Sequence, residues 1–328
     1  MKKTALLFMI LCMLLAVCAC SRQNDGNGDP GAYQEDFPPI VVGFSQVGAE
    51  SDWRVGNTNS MREAFSAENG YRLIIEDAQQ KQEKQITAIR NFINQGVDYI
   101  VLAPTTERGW DTVLAEAKAA GIPVILVDRM IEVADEDLFT CWVGSDFRRE
   151  GDTAIEWMDS HLPDELRIVH LQGNIGSSAQ IGRSEGLDDA LKAHPGWSVV
   201  FEAPGDFIQA KGQEIIEALL SDGTEFDVIY SENDNMAYGA IDALKAAGIV
   251  PGKDVTIVSF DAGSTALNLV LKGEINLDVE CNPMHGPRVR AIIEQLRSGE
   301  TPPKYTYVEE TSFDADTLDE AVIGSRGY

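Results

Sequence analysis

Histidine is sparse in this 328-residue chain: the four present, His161, His170, His194 and His285, fall on different predicted elements. No G-x-S-x-G, H-E-x-x-H or phosphate loop occurs in it. An enzyme would need a nucleophile with an oriented base, a metal site or two carboxylates at hydrolase spacing; Asp128 and Asp261 could mimic such a pair, but their arginine and aromatic neighbours favour plain binding, so the chain is not expected to be an enzyme. Beyond residue 20 the only cysteines are Cys141 and Cys281. Two cysteines without paired spacing make no metal motif. They read as two buried free thiols, with a single disulfide as the alternative outside the cell. Neither a metal nor a cofactor is implied. Positive charge is also short: 26 Lys and Arg against 53 Asp and Glu leave a net charge of −27. Such a field repels nucleic-acid phosphates and anionic head groups, which argues against a nucleic-acid partner.

Long hydrophobic runs are missing too, with one exception. Ala5 to Val17 is apolar and uncharged, follows the basic start Met1-Lys2-Lys3, and is short for a bilayer span. It reads as a signal peptide over residues 1–19. The stretch Val17-Cys18-Ala19-Cys20-Ser21 resembles a lipobox, which makes Cys20 the acylated residue. Residues 20–39, rich in Gly, Asn, Asp and Pro without an apolar face, form a flexible tether. A body held by lipid to the outer face of the cytoplasmic membrane is the expected address.

At this length two domains are the natural division, and 44% hydrophobic with 24% charged residues is an ordinary globular composition. From Ile40 short aliphatic strands alternate with helical patterns. Ile86, Ile89 and Ile93 recur at helical spacing before Gly96, and Tyr99–Ala103 and Ile122–Val127 read as buried strands. The plan repeats, down to the segment Lys-Ala-Ala-Gly-Ile at 118–122 and again at 245–249. Strands follow at 166–171, 199–203, 228–230 and 255–260, with helices near 178–193, 209–220 and 236–247. A third restart, Ile275–Glu280 with a helix from about Met284 to Arg297, has no room for its own sheet and returns the chain to the first lobe. The reading is α/β, with two doubly wound parallel-sheet lobes joined by a three-segment hinge. The first lobe takes 40–143 and 281–306; the second takes 144–280 and, with the tail, 307–328.

Both copies end a strand in a carboxylate, Asp128 and Asp261, at the edge where open α/β sheets bind ligands. Asp128 and Arg129 offer a bidentate acceptor beside a fixed fork of donors, and Phe260 next to Asp261 offers a flat face. Asn233 sits at another strand end, with Asp234 beside it as the expected helix cap. Gln46, Glu50, Trp53 and Arg54 follow the first strand; Phe207 and Trp110 are further candidate aromatics. The segments Val42–Arg54, Asp77–Ile86, Val127-Asp128-Arg129, Leu171-Gln172-Gly173 and Glu232–Met236 together resemble the ribose/galactose-type periplasmic sugar-binding proteins. The resemblance spans roughly residues 40–314.

It implies a monomeric type I periplasmic binding protein, a clamp without catalysis that delivers a monosaccharide such as galactofuranose to an ABC permease. It carries Arg183 as a ligand arginine. It also places a ligand contact near the second crossover, here Glu280 or Asn282. Asp128, Asp261 and Glu50 oppose Arg54, Arg129 and Arg183, a balance that favours a neutral sugar over an anion. A partner of a sensor kinase or chemoreceptor is the alternative, since its site would look the same. A repressor core of the same fold would need a basic helix-turn-helix where the tether stands.

Overall fold

A computed structural model describes residues 38–328; the signal peptide, Cys20 and the tether up to Phe37 lie outside the described residues. The first lobe is built from β1 (Ile40–Gln46), α1 (Asp52–Ala64), β2 (Tyr71–Asp77), α2 (Gln82–Gln95), β3 (Tyr99–Leu102), α3 (Asp111–Ala119), β4 (Val124–Val127) and β5 (Cys141–Gly144). The second runs through α4 (Phe147–His161), β6 (Leu166–Gln172), α5 (Ser178–Ala193), β7 (Trp197–Pro204) and α6 (Gln209–Ser221). It continues with β8 (Val228–Ser231), α7 (Asp234–Ala246), β9 (Thr256–Asp261), α8 (Ser264–Leu271) and β10 (Leu277–Glu280). The chain ends in α9 (Gly286–Ser298), β11 (Tyr305–Tyr307), β12 (Ser312–Phe313) and α10 (Glu320–Ser325).

Two six-stranded sheets result, in the orders β11-β5-β4-β3-β1-β2 and β12-β10-β9-β8-β6-β7. All pairings are parallel except β12 on β10. Strands β4, β5, β8 and β10 are buried at every residue. That is what helices on both faces of a parallel sheet impose, and why the strands read as unbroken aliphatic runs. Of the third restart only the helix returns to the first lobe, where α9 packs on α1. Leu277–Glu280 instead extends the second sheet by pairing in register with β9. The chain therefore passes between sheets at 145–146, 281–285 and 308–311.

Helix α4 has no counterpart in the sequence pattern. Its inward positions are Phe147, Glu150, Gly151, Ala154 and Met158. Their spacing is helical, but an acid and a glycine hide the apolar stripe. Gly151 lets α4 lie against α5, since a Cβ on it would fall 3.0 Å from the Gly182 carbonyl oxygen. Gly186 faces it, with a Cβ there only 2.8 Å from the Gly151 carbonyl carbon. The close approach brings Glu150 on α4 to Arg183 on α5. Gly186→Ala should lower the urea unfolding free energy by about 1–3 kcal/mol, because backbone on the facing helix cannot step aside. A denaturation midpoint equal to that of the unsubstituted protein would refute this packing argument.

Candidate functional site

The carboxyl ends of both sheets and the N-termini of α1, α5 and α7 converge on one small cavity between the lobes. Side-chain caps fix the helix ends there: Ser51 accepts from the Arg54 amide, Ser177 from Gln180, and Asn233 from Met236. The lining includes Glu50, Trp53, Arg54, Asp128, Arg129, Arg183, Phe207, Asn233 and Asp261, all anticipated from sequence. Ser51, Phe147, Ala179 and Cys281 complete it and were not anticipated. Phe147 was missed together with its helix.

In the first lobe Arg54 donates from Nη1 to Asp128 Oδ2 at 2.8 Å and from Nε to Glu50 Oε1 at 3.3 Å. Its guanidinium lies 4.5 Å from the Trp53 ring centroid. Burial works against that charge, but Asp128 and Glu50 outweigh it and raise the Arg54 pKa. Burial lowers Arg129 to about 10, helped by Arg54 beside it, so it stays cationic at neutral pH. Arg129 Nε and Glu50 Oε2 are buried without a protein hydrogen-bond partner. A donor and an acceptor are thus left over for hydroxyl groups, which can serve either.

In the second lobe Arg183 donates from Nε to Glu150 Oε2 at 2.7 Å and from Nη1 to the Glu232 carbonyl at 2.5 Å. Its Nη2 reaches to 3.7 Å from Asp261 Oδ1. The guanidinium is packed between Phe260 and Phe147, at 4.8 and 5.4 Å from the ring centroids. The acid that pairs with Arg183 is Glu150. Burial opposes the Arg183 charge, yet Glu150, Cys281 and Asp261 raise its pKa well above the ordinary value. Burial likewise pushes Asp261 well above the carboxylate range, against the pull of Arg183. Glu150 rises to about 7 for the same reason.

Three of the lining residues hold left-handed backbone: Asp128 at φ 65°, Phe207 at 62° and Asp261 at 118°. Non-glycine residues rarely adopt it, and such strain gathers where side chains must be aimed. At Asp128 the geometry is enforced by Trp142, whose Nε1 donates to the Asp128 carbonyl at 3.1 Å. Gly144 is required alongside, because a Cβ there would meet that carbonyl oxygen at 2.2 Å.

Four anticipated residues stand elsewhere. Gln46 lies behind the wall, accepting from Arg54 Nη1 at 3.3 Å and donating to Asn57 at 2.8 Å, so it orients Arg54 rather than facing the cavity. Phe260 backs Arg183 from the core. Trp110 is fully buried beneath α3, its Nε1 bonded to the Thr106 carbonyl at 2.7 Å. Glu280 turns to the tail, paired with Arg326, and Asn282 bonds Glu280 and the Met284 amide. The crossover residue at the cavity is Cys281. Asn233, not Asp234, caps α7; its Nδ2 also donates to the Phe207 carbonyl at 3.3 Å. Cys141 and Cys281 are both buried and free.

The lobes meet over the cavity through Asp52 N to Asn235 at 3.0 Å, Met130 N to Ser178 at 2.9 Å, and Asn174 to Gln80 at 3.1 Å. Behind it, Glu310 Oε1 accepts from Ser145 Oγ at 2.7 Å and from the Asn282 amide at 2.6 Å, which ties the three crossings together. Burial, with Glu150 nearby, pushes Glu310 to about 9.

Two strand-and-helix lobes around a polar, aromatic-walled cavity define a binding clamp, and the comparisons agree. The periplasmic binding protein domain family matches residues 42–280, and the chain belongs to that family. The galactofuranose-binding protein YtfQ of Escherichia coli K12 is 39% identical over 287 residues, covering 86% of this chain and 90% of YtfQ. A crystal structure of a galactofuranose binding protein superposes with a TM-score of 0.83 at 39% identity, over 88% of this chain and all of that one (100%). The arabinose transporter binding component of Shewanella sp. ANA-3, bound to L-arabinofuranose, gives 0.82 at 39% identity over 88% of this chain and 95% of that one. These relatives are substrate-binding proteins, not enzymes, and their family is extracytoplasmic. Among the described residues no helix is long and apolar enough to cross a membrane.

Arg183→Met should destabilise the fold by about 3–5 kcal/mol in urea titrations, because Glu150 loses its buried counter-charge. Adding Glu150→Gln to it should recover part of that loss; a double variant no more stable than the single one would contradict the pairing.

Proposed function

We propose that this protein captures a neutral monosaccharide in its furanose form, galactofuranose or a pentofuranose such as arabinofuranose, and delivers it to an ABC permease. The observation that carries this reading is the cavity wall itself. Three acids, Glu50, Asp128 and Asp261, and three cations, Arg54, Arg129 and Arg183, surround one small space with Trp53 and Phe207. Balanced charge gives an anion no surplus cation to bind. Planar bidentate groups and flat aromatics suit vicinal hydroxyls and apolar sugar faces. The furanose preference rests on relatives that are themselves described with galactofuranose and arabinofuranose.

In this reading residues 40–143 with 281–306 turn against 144–280 with 307–328 about the three crossings. Sugar shifts the population to the closed form because only closure presents both walls to it. Cys20 carries the lipid, and the tether lets the clamp reach the permease.

Titration calorimetry against galactofuranose, arabinofuranose, galactose and ribose should show tightest binding to a furanose. Asp128→Ala and Asp261→Ala should each weaken it by about 2 kcal/mol or more, each removing a buried hydrogen-bonding carboxyl group. Unchanged affinity in either variant removes that residue from the site, and tight binding of a sugar phosphate in preference to every neutral sugar would end the proposal. Cys20→Ala should move the protein from membranes to the soluble fraction.

A further inference from the structure

Beside Asp261 lie two carboxyl groups that are not part of the cavity lining described above. Asp234, the first residue of α7, is 2% exposed, and Asp278, within β10, is 0% exposed. They grip consecutive amides of one turn. Asp278 Oδ1 accepts from the Ala262 amide at 3.0 Å, and Asp234 Oδ2 from the Gly263 amide at 3.0 Å. Asp234 Oδ1 also accepts from Ser259 Oγ at 2.7 Å. That turn is the strained one: Asp261 at φ 118° is followed by Ala262 at 53°.

Among the described residues neither carboxyl belongs to an ion pair, and Asp278 Oδ2 is buried with no donor facing it. Two buried carboxylates gripping neighbouring amides of one turn resist ionising together; one proton between them removes the repulsion and supplies the missing hydrogen bond. The charged and titratable groups around them do not offer an alternative. Asp52 from α1, Tyr238 from α7 and Asp261 from β9 are acids, as is Tyr328 from the tail. Arg326 is the nearest cation, and it is held by Glu280 and the Tyr328 hydroxyl.

We infer that Asp234 and Asp278 share one proton and act as positioning residues, holding the strained turn that aims Asp261 into the cavity. The inference deepens the proposed function and rests on Asp261 being a ligand contact. Burial supports it, pushing Asp278 up to about 8 and Asp234 well above its ordinary range. A carboxyl with a raised folded-state pKa contributes its full stability below about pH 4, where the unfolded chain also keeps the proton. That contribution is lost as the pH rises through about 8.

Asp278→Asn replaces the shared proton with a permanent amide donor to Asp234. Sugar-free unfolding of both proteins, followed from about pH 5 to about pH 9, isolates the pair from Glu150 and Glu310, which titrate in both. The variant should gain on the unsubstituted protein as the pH rises, and the gap should level off above about 8. Parallel curves over the whole range would overturn the shared proton. If Asp278→Asn does not fold, Asp234→Asn makes the same exchange from the other side; failure of both would overturn it equally.

The positioning role is read from affinity for galactofuranose. Binding by the unsubstituted protein should weaken about threefold or more between about pH 7 and about pH 9, and less in Asp278→Asn. Asp278→Ala should bind about tenfold more weakly than Asp278→Asn at neutral pH. Equal affinities in those two variants would leave a proton pair without a role in aiming Asp261. Should no furanose bind the unsubstituted protein, the proposed function falls, while the sugar-free unfolding curves still decide the pair.

Discussion

The structure depends on pairing two buried guanidinium groups, those of Arg54 and Arg183, with carboxylates of their own lobe. Arg54 is matched by Asp128 and Glu50, and Arg183 by Glu150 and Asp261. Among the described residues no ion pair joins the two sheets' lobes; apart from Arg129 Nη2 to Asn174, the bonds between them are amide, hydroxyl and backbone contacts such as Met130 to Ser178. An isolated charge in a dry interior costs several kcal/mol, whereas a neutral hydrogen bond contributes about 1 kcal/mol net. Separation of the lobes therefore breaks no ion pair, and the one charged donor it releases is Arg129, whose Nη2 lies 3.3 Å from Asn174 Oδ1.

Local strain follows the same logic. Asp128, Phe207 and Asp261 hold backbone angles that their side chains disfavour, and each is locked by a neighbour the sequence does not place beside it. Trp142 and Gly144 hold Asp128. Phe207 packs over Gly173, where a Cβ would fall 1.9 Å from the ring. Strain of order 1–3 kcal/mol per residue persists only where surrounding contacts over-determine it.

Much of the architecture was legible because parallel strands buried on both faces must be aliphatic, and helices between them must carry one apolar stripe. Helix α4 escaped because Glu150 and Gly151 occupy its inward face for reasons of charge pairing and close packing. The strand-end acids were legible too, since that edge of the sheet is where ligands collect. Side-chain direction was not. Phe260 and Asp261 are adjacent, yet alternation along a strand sends one to the core and the other to the cavity. Glu280 and Cys281 divide in the same way, and the sequence favoured the polar one.

By itself the sequence determined the two-lobed α/β plan and the charge-balanced set of residues available at its cleft, because periodicity and strand ends are local properties of the chain. Tertiary structure alone decided that Glu150 neutralises Arg183, that Cys281 faces the cavity, and that Asp234 and Asp278 grip the turn that follows Asp261. Those pairings join residues from different strands and helices, and nothing short of the packed fold brings them within hydrogen-bonding distance.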